Sequence, residues 1–126
     1  MSKKDYSEKE IIEKFPSLSP SILNRLKKLK LIDDYKLANE IIEKLKDKGK
    51  GYYYILACLE RRKIKKEIIE NFKRFYDFDE EFERCKKIIE KLKEKKTYGS
   101  ILLYLKNRGF SENTIEKIEE YLSEIS

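Results

Sequence analysis

Ile41-Ile42-Glu43-Lys44-Leu45-Lys46 occurs a second time, residue for residue, as Ile88-Ile89-Glu90-Lys91-Leu92-Lys93. The match extends upstream at the same offset: Ala38 meets Cys85, Tyr35 meets Phe82, and Asp33-Asp34 meets Glu80-Glu81. Downstream the offset changes by one residue and then holds. Ile55, Leu56 and Leu59 face Ile101, Leu102 and Leu105, and Ile64, Ile69 and Phe72 face Phe110, Ile115 and Ile118. A chain rich in Lys, Glu and Ile matches itself by accident over a few residues. It does not keep small, aromatic and aliphatic positions in step over about forty. Self-similarity at this period marks stacked supersecondary units, none of which buries its apolar face alone.

Apolar spacing and punctuation make those units helical. Ser7-Glu8-Lys9-Glu10 is a capping-box pattern, which predicts a helix over 8–15 burying Ile11, Ile12 and Phe15. Pro16 stops it. Ser19-Pro20 reads as an N-cap followed by a first-turn proline, opening a helix with Ile22, Leu23, Leu26 and Leu29 on one stripe. Asp33-Asp34 starts a third helix that buries Tyr35, Ala38, Ile41, Ile42 and Leu45 and ends at Lys48-Gly49-Lys50-Gly51. Further helices are expected near 52–62, 65–75, 80–95, 98–108 and 112–123. Arg108-Gly109-Phe110 reads as a left-handed glycine stop with an apolar residue folding back, and Ser111 caps the last helix. No stretch alternates with period two. The expected fold is all-α, about eight helices in tandem three-helix repeats that form an elongated, curved array.

One domain of 126 residues follows, with an incomplete first repeat at 7–31, a second at 32–76 and a third at 78–123. Lys9 to Phe15 also nearly copies Lys66 to Phe72, which would shift the phase of the first repeat. The adopted phase instead sets Ser19, Leu23 and Leu26 against Ser111, Ile115 and Ile118, and also places the following Leu-Ile-Asp-Asp correctly. The first helix of the opening repeat is then absent.

Composition restricts function. The sequence has 40% hydrophobic residues, nine Tyr and six Phe, so it can build a core despite 43% charged residues. Its apolar runs are too short to span a bilayer, and its first residues lack the apolar core of a secretion signal. A cytoplasmic protein with no membrane partner is expected, as a monomer. Cys58 and Cys85 lack metal-type spacing and fall in helical apolar patterns, as reduced core cysteines do. There is no His, hence none of the commonest acid–base residue near neutral pH. There is also no phosphate loop, nucleophile elbow or Cys–His pair. The chain reads as a binding protein without cofactor, metal or catalytic residues.

These residues resemble the RecX family of regulatory proteins. Leu31-Ile32-Asp33-Asp34-Tyr35, then Leu37-Ala38, the Lys-Gly-Lys-Gly stretch, and Ile55 with Leu59 look like its middle repeat. Leu105-Lys106-Asn107-Arg108-Gly109-Phe110-Ser111 looks like its closing repeat, and Ser7 to Phe15 is similar to its opening one. Asp33, Asp34, Ala38, Gly51, Gly109 and Phe110 carry the structural signature. The chain departs from the family pattern at Lys63-Ile64, where Gly-Ile is frequent, and at Lys96-Thr97, where no counterpart of the glycine pair stands. The resemblance implies a regulator that binds the RecA recombinase and its filament on DNA and inhibits it in recombination and repair, with at most weak direct DNA binding. The alternative is a small basic helical protein that binds nucleic acid and has no recombinase partner.

Net charge is +6, yet Arg61, Arg62, Lys63, Lys65 and Lys66 gather at one turn, with Lys48 and Lys50 at the turn before. The plain reading of such clusters is a solvated face and favourably charged helix ends. The functional reading makes these residues, with Arg108, contacts for acidic RecA surface or DNA phosphates. Tyr53 lies beside them, more in the manner of a packing residue than of a base-stacking one.

Overall fold

The computed structural model describes residues 5–125, all-helical with connecting turns. The helices are α1 (Glu8–Lys14), α2 (Pro20–Lys28), α3 (Asp34–Asp47), α4 (Tyr52–Arg61), α5 (Lys66–Phe75), α6 (Phe78–Leu92), α7 (Tyr98–Asn107) and α8 (Glu112–Ile125). None is long and apolar enough to cross a membrane. The α6 helix starts two residues before the expected 80, because Asp77 caps it by accepting from the Glu80 N–H at 3.0 Å. The capping box of α1 is present: the Glu10 N–H donates to Ser7 Oγ at 3.2 Å and the Ser7 N–H to the Glu10 carboxylate at 2.8 Å. Ser19, Asp33, Thr97 and Ser111 cap their helices in the same sense.

Four helices end in the same hydrogen-bonded motif, in which one residue turns left-handed and the next donates back across the last turn. Gly49 and Gly109 hold that position after α3 and α7, with φ of 77° and 88°. Lys30 and Lys63 hold it after α2 and α4, with φ of 59° and 57°. Lys63 therefore adopts the glycine conformation of its counterpart Gly109 while carrying a side chain.

Two apolar clusters form the core. Leu37, Ala38, Ile41, Ile55, Leu59, Ile64, Ile68 and Ile69 close one among α3, α4 and α5. Cys85, Ile89, Ile101, Leu105, Phe110, Ile115, Ile118 and Leu122 close the other among α6, α7 and α8. Ala38 and Cys85 are both fully enclosed at the matching small-residue position. Between the clusters Tyr52 stacks on Phe72 (5.6 Å between ring centres) and meets Tyr76 edge-on at 4.9 Å.

Three burial expectations need correction. The α1 and α2 helices bury nothing completely: Ile12, Phe15, Ile22 and Leu29 are exposed, while Ile11, Leu23 and Leu26 are half-buried. The amphipathic stripe exists there, but no third helix among the described residues seals it. Tyr35 is exposed, whereas Leu37, not expected, is buried. Counted from the Asp33 cap, Leu37 and Ala38 flank the line that faces α4 and α5, and Tyr35 falls on the far side. Ile42 and Leu45 pack on the core only partly buried.

Candidate interaction site

The α4 and α5 helices have no side-chain cap of their own. A buried carboxylate from a neighbouring helix serves each. Asp34, in the first turn of α3, accepts from the Glu8 N–H at the start of α1 (2.9 Å) and from the Lys65 N–H before α5 (3.0 Å). Glu81, in the first turn of α6, accepts from the Tyr52 N–H of α4 (2.8 Å) and the Ser111 N–H before α8 (3.1 Å). It also takes the Tyr76 and Ser111 hydroxyls. Each carboxylate thus neutralises two helix N-termini, where partial positive charge favours an anion.

The turns between helices are locked together by the residues expected as a structural signature. The Gly51 N–H donates to the Arg108 carbonyl at 2.9 Å, and the Tyr53 N–H to the Gly109 carbonyl at 2.8 Å. A Cβ on Gly51 would lie 2.5 Å from the Phe110 backbone, and one on Gly109 would lie 2.6 Å from the Tyr54 nitrogen. Two backbones approach this closely only where neither carries a side chain. The Arg108 guanidinium completes the lock on the Gly49 carbonyl at 3.3 Å and on the Lys48 carbonyl.

Arg62 occupies the matching place one unit earlier. Its guanidinium pairs with Glu10 at 2.9 Å and donates to the Asp5 carbonyl. Lys63 pairs with Glu13, and Lys65 pairs with Glu8 at 3.2 Å. Burial raises the Glu8 and Glu10 carboxyls, but the hydrogen bonds from Lys27 and Lys65 to Glu8, and from Arg62 to Glu10, outweigh it and hold both below their ordinary value. Arg62 and Lys65 are raised in turn, chiefly by those same hydrogen bonds. The cationic turn therefore divides. Arg62 and Arg108 fold onto the backbone of other turns, while Lys63 and Lys65 carry ion pairs that stay partly exposed. Arg61, Lys66 and Lys48 have no carboxylate partner among the described residues, and Lys50 lies over the Tyr54 ring at 4.3 Å.

An open basic cleft of about 870 Å³ lies between α1 and α5. Lys9, Lys65, Lys66, Lys73 and Arg74 line it, against only Glu67 and Glu70 as acids. Lys73 pairs with Glu70 at 3.4 Å on the exposed helix face, a contact of little strength in water. Lys9 and Lys66 have no carboxylate partner among the described residues. The cleft brings together Lys65 and Lys66 from the expected set and leaves out Lys48, Lys50 and Arg108, which stand at the α3–α4 and α7–α8 turns. Lys73 and Arg74 were not anticipated. They lie seven and eight residues after Lys66, one helical face, which the sequence carried. Lys9 joins them only through the docking of α1.

The matching cleft between α4 and α8 has the opposite sign. Counted from the caps, Tyr53 replaces Lys9, and Glu112, Glu116 and Glu119 replace Lys66, Glu70 and Lys73. The Tyr53 hydroxyl donates to Glu112 at 2.7 Å. That bond lowers the Glu112 carboxyl and raises the tyrosine. Tyr53 is thus engaged by a carboxylate rather than offered for stacking.

No family model matches the chain. A curated protein, "Regulatory protein RecX" of Geobacillus sp. (strain WCH70), is 30% identical over an alignment of 112 residues that covers 81% of this chain and 41% of that protein. The chain therefore spans less than half the length of this relative. The crystal structure of RecX from Lactobacillus salivarius superposes with a TM-score of 0.76 at 25% identity, covering 95% of this chain and 87% of that one. The order of motifs, the eight helices and the end-to-end structural match agree: the chain belongs to the RecX family.

Proposed function

We propose that this chain is a non-enzymatic regulator that binds RecA and the RecA–DNA filament and inhibits RecA in recombination and repair. It acts as a cytoplasmic monomer without cofactor, one domain with an incomplete repeat at 7–31 and complete ones at 32–76 and 78–123. The observation that carries this reading is the structural match to a RecX protein over nearly the whole of both chains. A repeat scaffold presents successive contact surfaces along one chain, and each contact after the first is intramolecular, which raises avidity.

The contact surface is the basic cleft with its rim: Lys9, Lys66, Lys73 and Arg74, continued by Arg61 and, at the next turn, by Lys48 and Lys50. Arg62, Lys63, Lys65 and Arg108 support that surface by holding the turns beneath it. The cleft also favours a second reading, in which the protein binds nucleic acid with no recombinase partner. Binding to preformed RecA filaments and to bare single-stranded DNA separates the two. The first reading expects tight filament binding, weak DNA binding, and loss of filament affinity in Lys66→Glu/Lys73→Glu/Arg74→Glu. Equal affinity for bare DNA and filament, with a steep salt dependence for both, would favour the second.

A further inference from the structure

The two junctions between units are held by different forces. At the second, Gly51 and Tyr53 at the start of α4 donate backbone N–H groups to the carbonyls of Arg108 and Gly109. Gly109 allows that approach because it carries no side chain. At the first, Lys63 stands in the Gly109 place with a left-handed φ of 57°, and its Cβ bars the same contact. Among the described residues no backbone hydrogen bond joins residues 7–15 to residues 61–66. The Ser7 N–H, which matches that of Gly51, turns to the Glu10 carboxylate instead.

Side chains take over the work of the backbone. Glu8 meets Lys65 at 3.2 Å and Lys27 at 3.0 Å, Glu10 takes Arg62, and Glu13 takes Lys63. The Arg62 contact is two-pronged: Nε lies 2.9 Å from one Glu10 oxygen, and a terminal nitrogen lies 3.3 Å from the other. A guanidinium fork in this geometry selects a planar carboxylate. Within residues 7–15 only Ser7 is fully enclosed, so little buried apolar surface binds α1 to the rest of the chain. Partly exposed ion pairs hold weakly in water and give way to salt. The remaining tie runs from the Glu8 N–H to Asp34, and the first turn of any helix offers such a donor.

We infer that the turn between α4 and α5 is a docking site for a carboxylate-bearing helix of a partner polypeptide, with α1 as its exchangeable resident. The occupant has the chemistry of α1: one carboxylate for the Arg62 fork, one for Lys65 with Lys27, and an outer one for Lys63. The buried Asp34 carboxylate decides the class of partner, because it accepts from a helix N–H and repels a phosphate. While α1 is in place the site is masked, and a competitor binds only in proportion to the fraction of chains in which α1 has left. Nothing in this exchange requires RecA.

The test uses the full chain, its Glu8→Gln/Glu10→Gln/Glu13→Gln variant and, as probe, an acetylated, dye-labelled peptide of residues 5–18. Fluorescence anisotropy should show at least tenfold tighter binding to the variant than to the parent, whose own α1 competes from a high effective concentration. That gain should vanish when the peptide carries the same three Gln replacements or when Arg62→Ala is added to the variant. Amide spectra of the ¹⁵N-labelled variant should match the parent over 76–125. If they do not, Glu10→Gln alone carries the comparison, with a smaller gain expected. Equal affinity of parent and variant, or undiminished binding of the Gln peptide, would overturn the inference. So would a larger gain for a short oligothymidylate, which would make nucleic acid the occupant. A dimer of the parent that the variant loses would overturn it too, since the α1 of a second copy would then fill the site.

Discussion

Asp34 and Glu81 hold equivalent places in successive units and join each unit to the one before it. Each carboxylate accepts the N–H that opens the third helix of its own unit, and each reaches back to the N–H that opens the second helix of the preceding unit. The unit boundary is therefore polar at its centre, surrounded by the apolar clusters. Such a pair of acceptors cannot be removed without leaving donors unmet in a region that water reaches poorly.

Glu81→Ala should accordingly cost about 3 kcal/mol, because it strands two backbone donors and two hydroxyls, and Asp34→Ala about 2 kcal/mol. Urea unfolding measures both. Costs below about 0.5 kcal/mol for the two would mean that the carboxylates merely lie near the helix ends.

The contrast between sealed and open equivalents is a second quantity to measure. Leu59→Ala and Leu105→Ala should each lose about 2–5 kcal/mol, the range for large-to-small changes in a packed core. Phe15→Ala, at the same position of the first unit, should lose less than about 1 kcal/mol. Equal losses at all three would show that Phe15 is packed in solution as its two equivalents are.

Acid should loosen α1 before it unfolds the cores. Glu8 and Glu10 are held below the ordinary value of 4.5 in the folded chain, so the folded state binds fewer protons than the unfolded one as the pH falls. Their contribution is complete above that value and declines as the pH drops through their lowered folded values. Amide shifts of residues 7–11 should therefore change only below the ordinary value of 4.5, and Arg62→Gln should move the change in Glu10 to higher pH. An α1 that detaches above pH 5 would place the controlling groups elsewhere.

Much of this architecture was legible in the sequence. The repeated Ile-Ile-Glu-Lys-Leu-Lys, the caps and the Arg-Gly-Phe turn suffice for helix order, and Ala38 and Cys85 point to one small-residue site. Burial in α1 and α2 was not legible, because an amphipathic stripe reports what a helix can bury and not whether anything covers it. Tyr35 failed for a related reason, since it matches Phe82 in type while lying on the outer side of its helix. The site was legible in part. Local cation density pointed to Lys65 and Lys66, which the cleft brings together, but the pairing of Arg62 and Lys63 depends on Glu10 and Glu13, some fifty residues away. The charge inversion between the two clefts is visible in the sequence only after the structural equivalence of Lys66 and Glu112 is known.

RecA-catalysed ATP hydrolysis on single-stranded DNA, titrated with this protein and with its Lys66→Glu/Lys73→Glu/Arg74→Glu variant, tests the central claim most directly. The three replaced side chains line the cleft and none belongs to the turn contacts, so the variant should keep its helical spectrum. The account predicts inhibition by the parent chain at concentrations well below those that coat the DNA, and at least tenfold more of the variant for the same effect. Inhibition that begins only when the DNA itself is saturated, or that is unchanged in the folded variant, would contradict it.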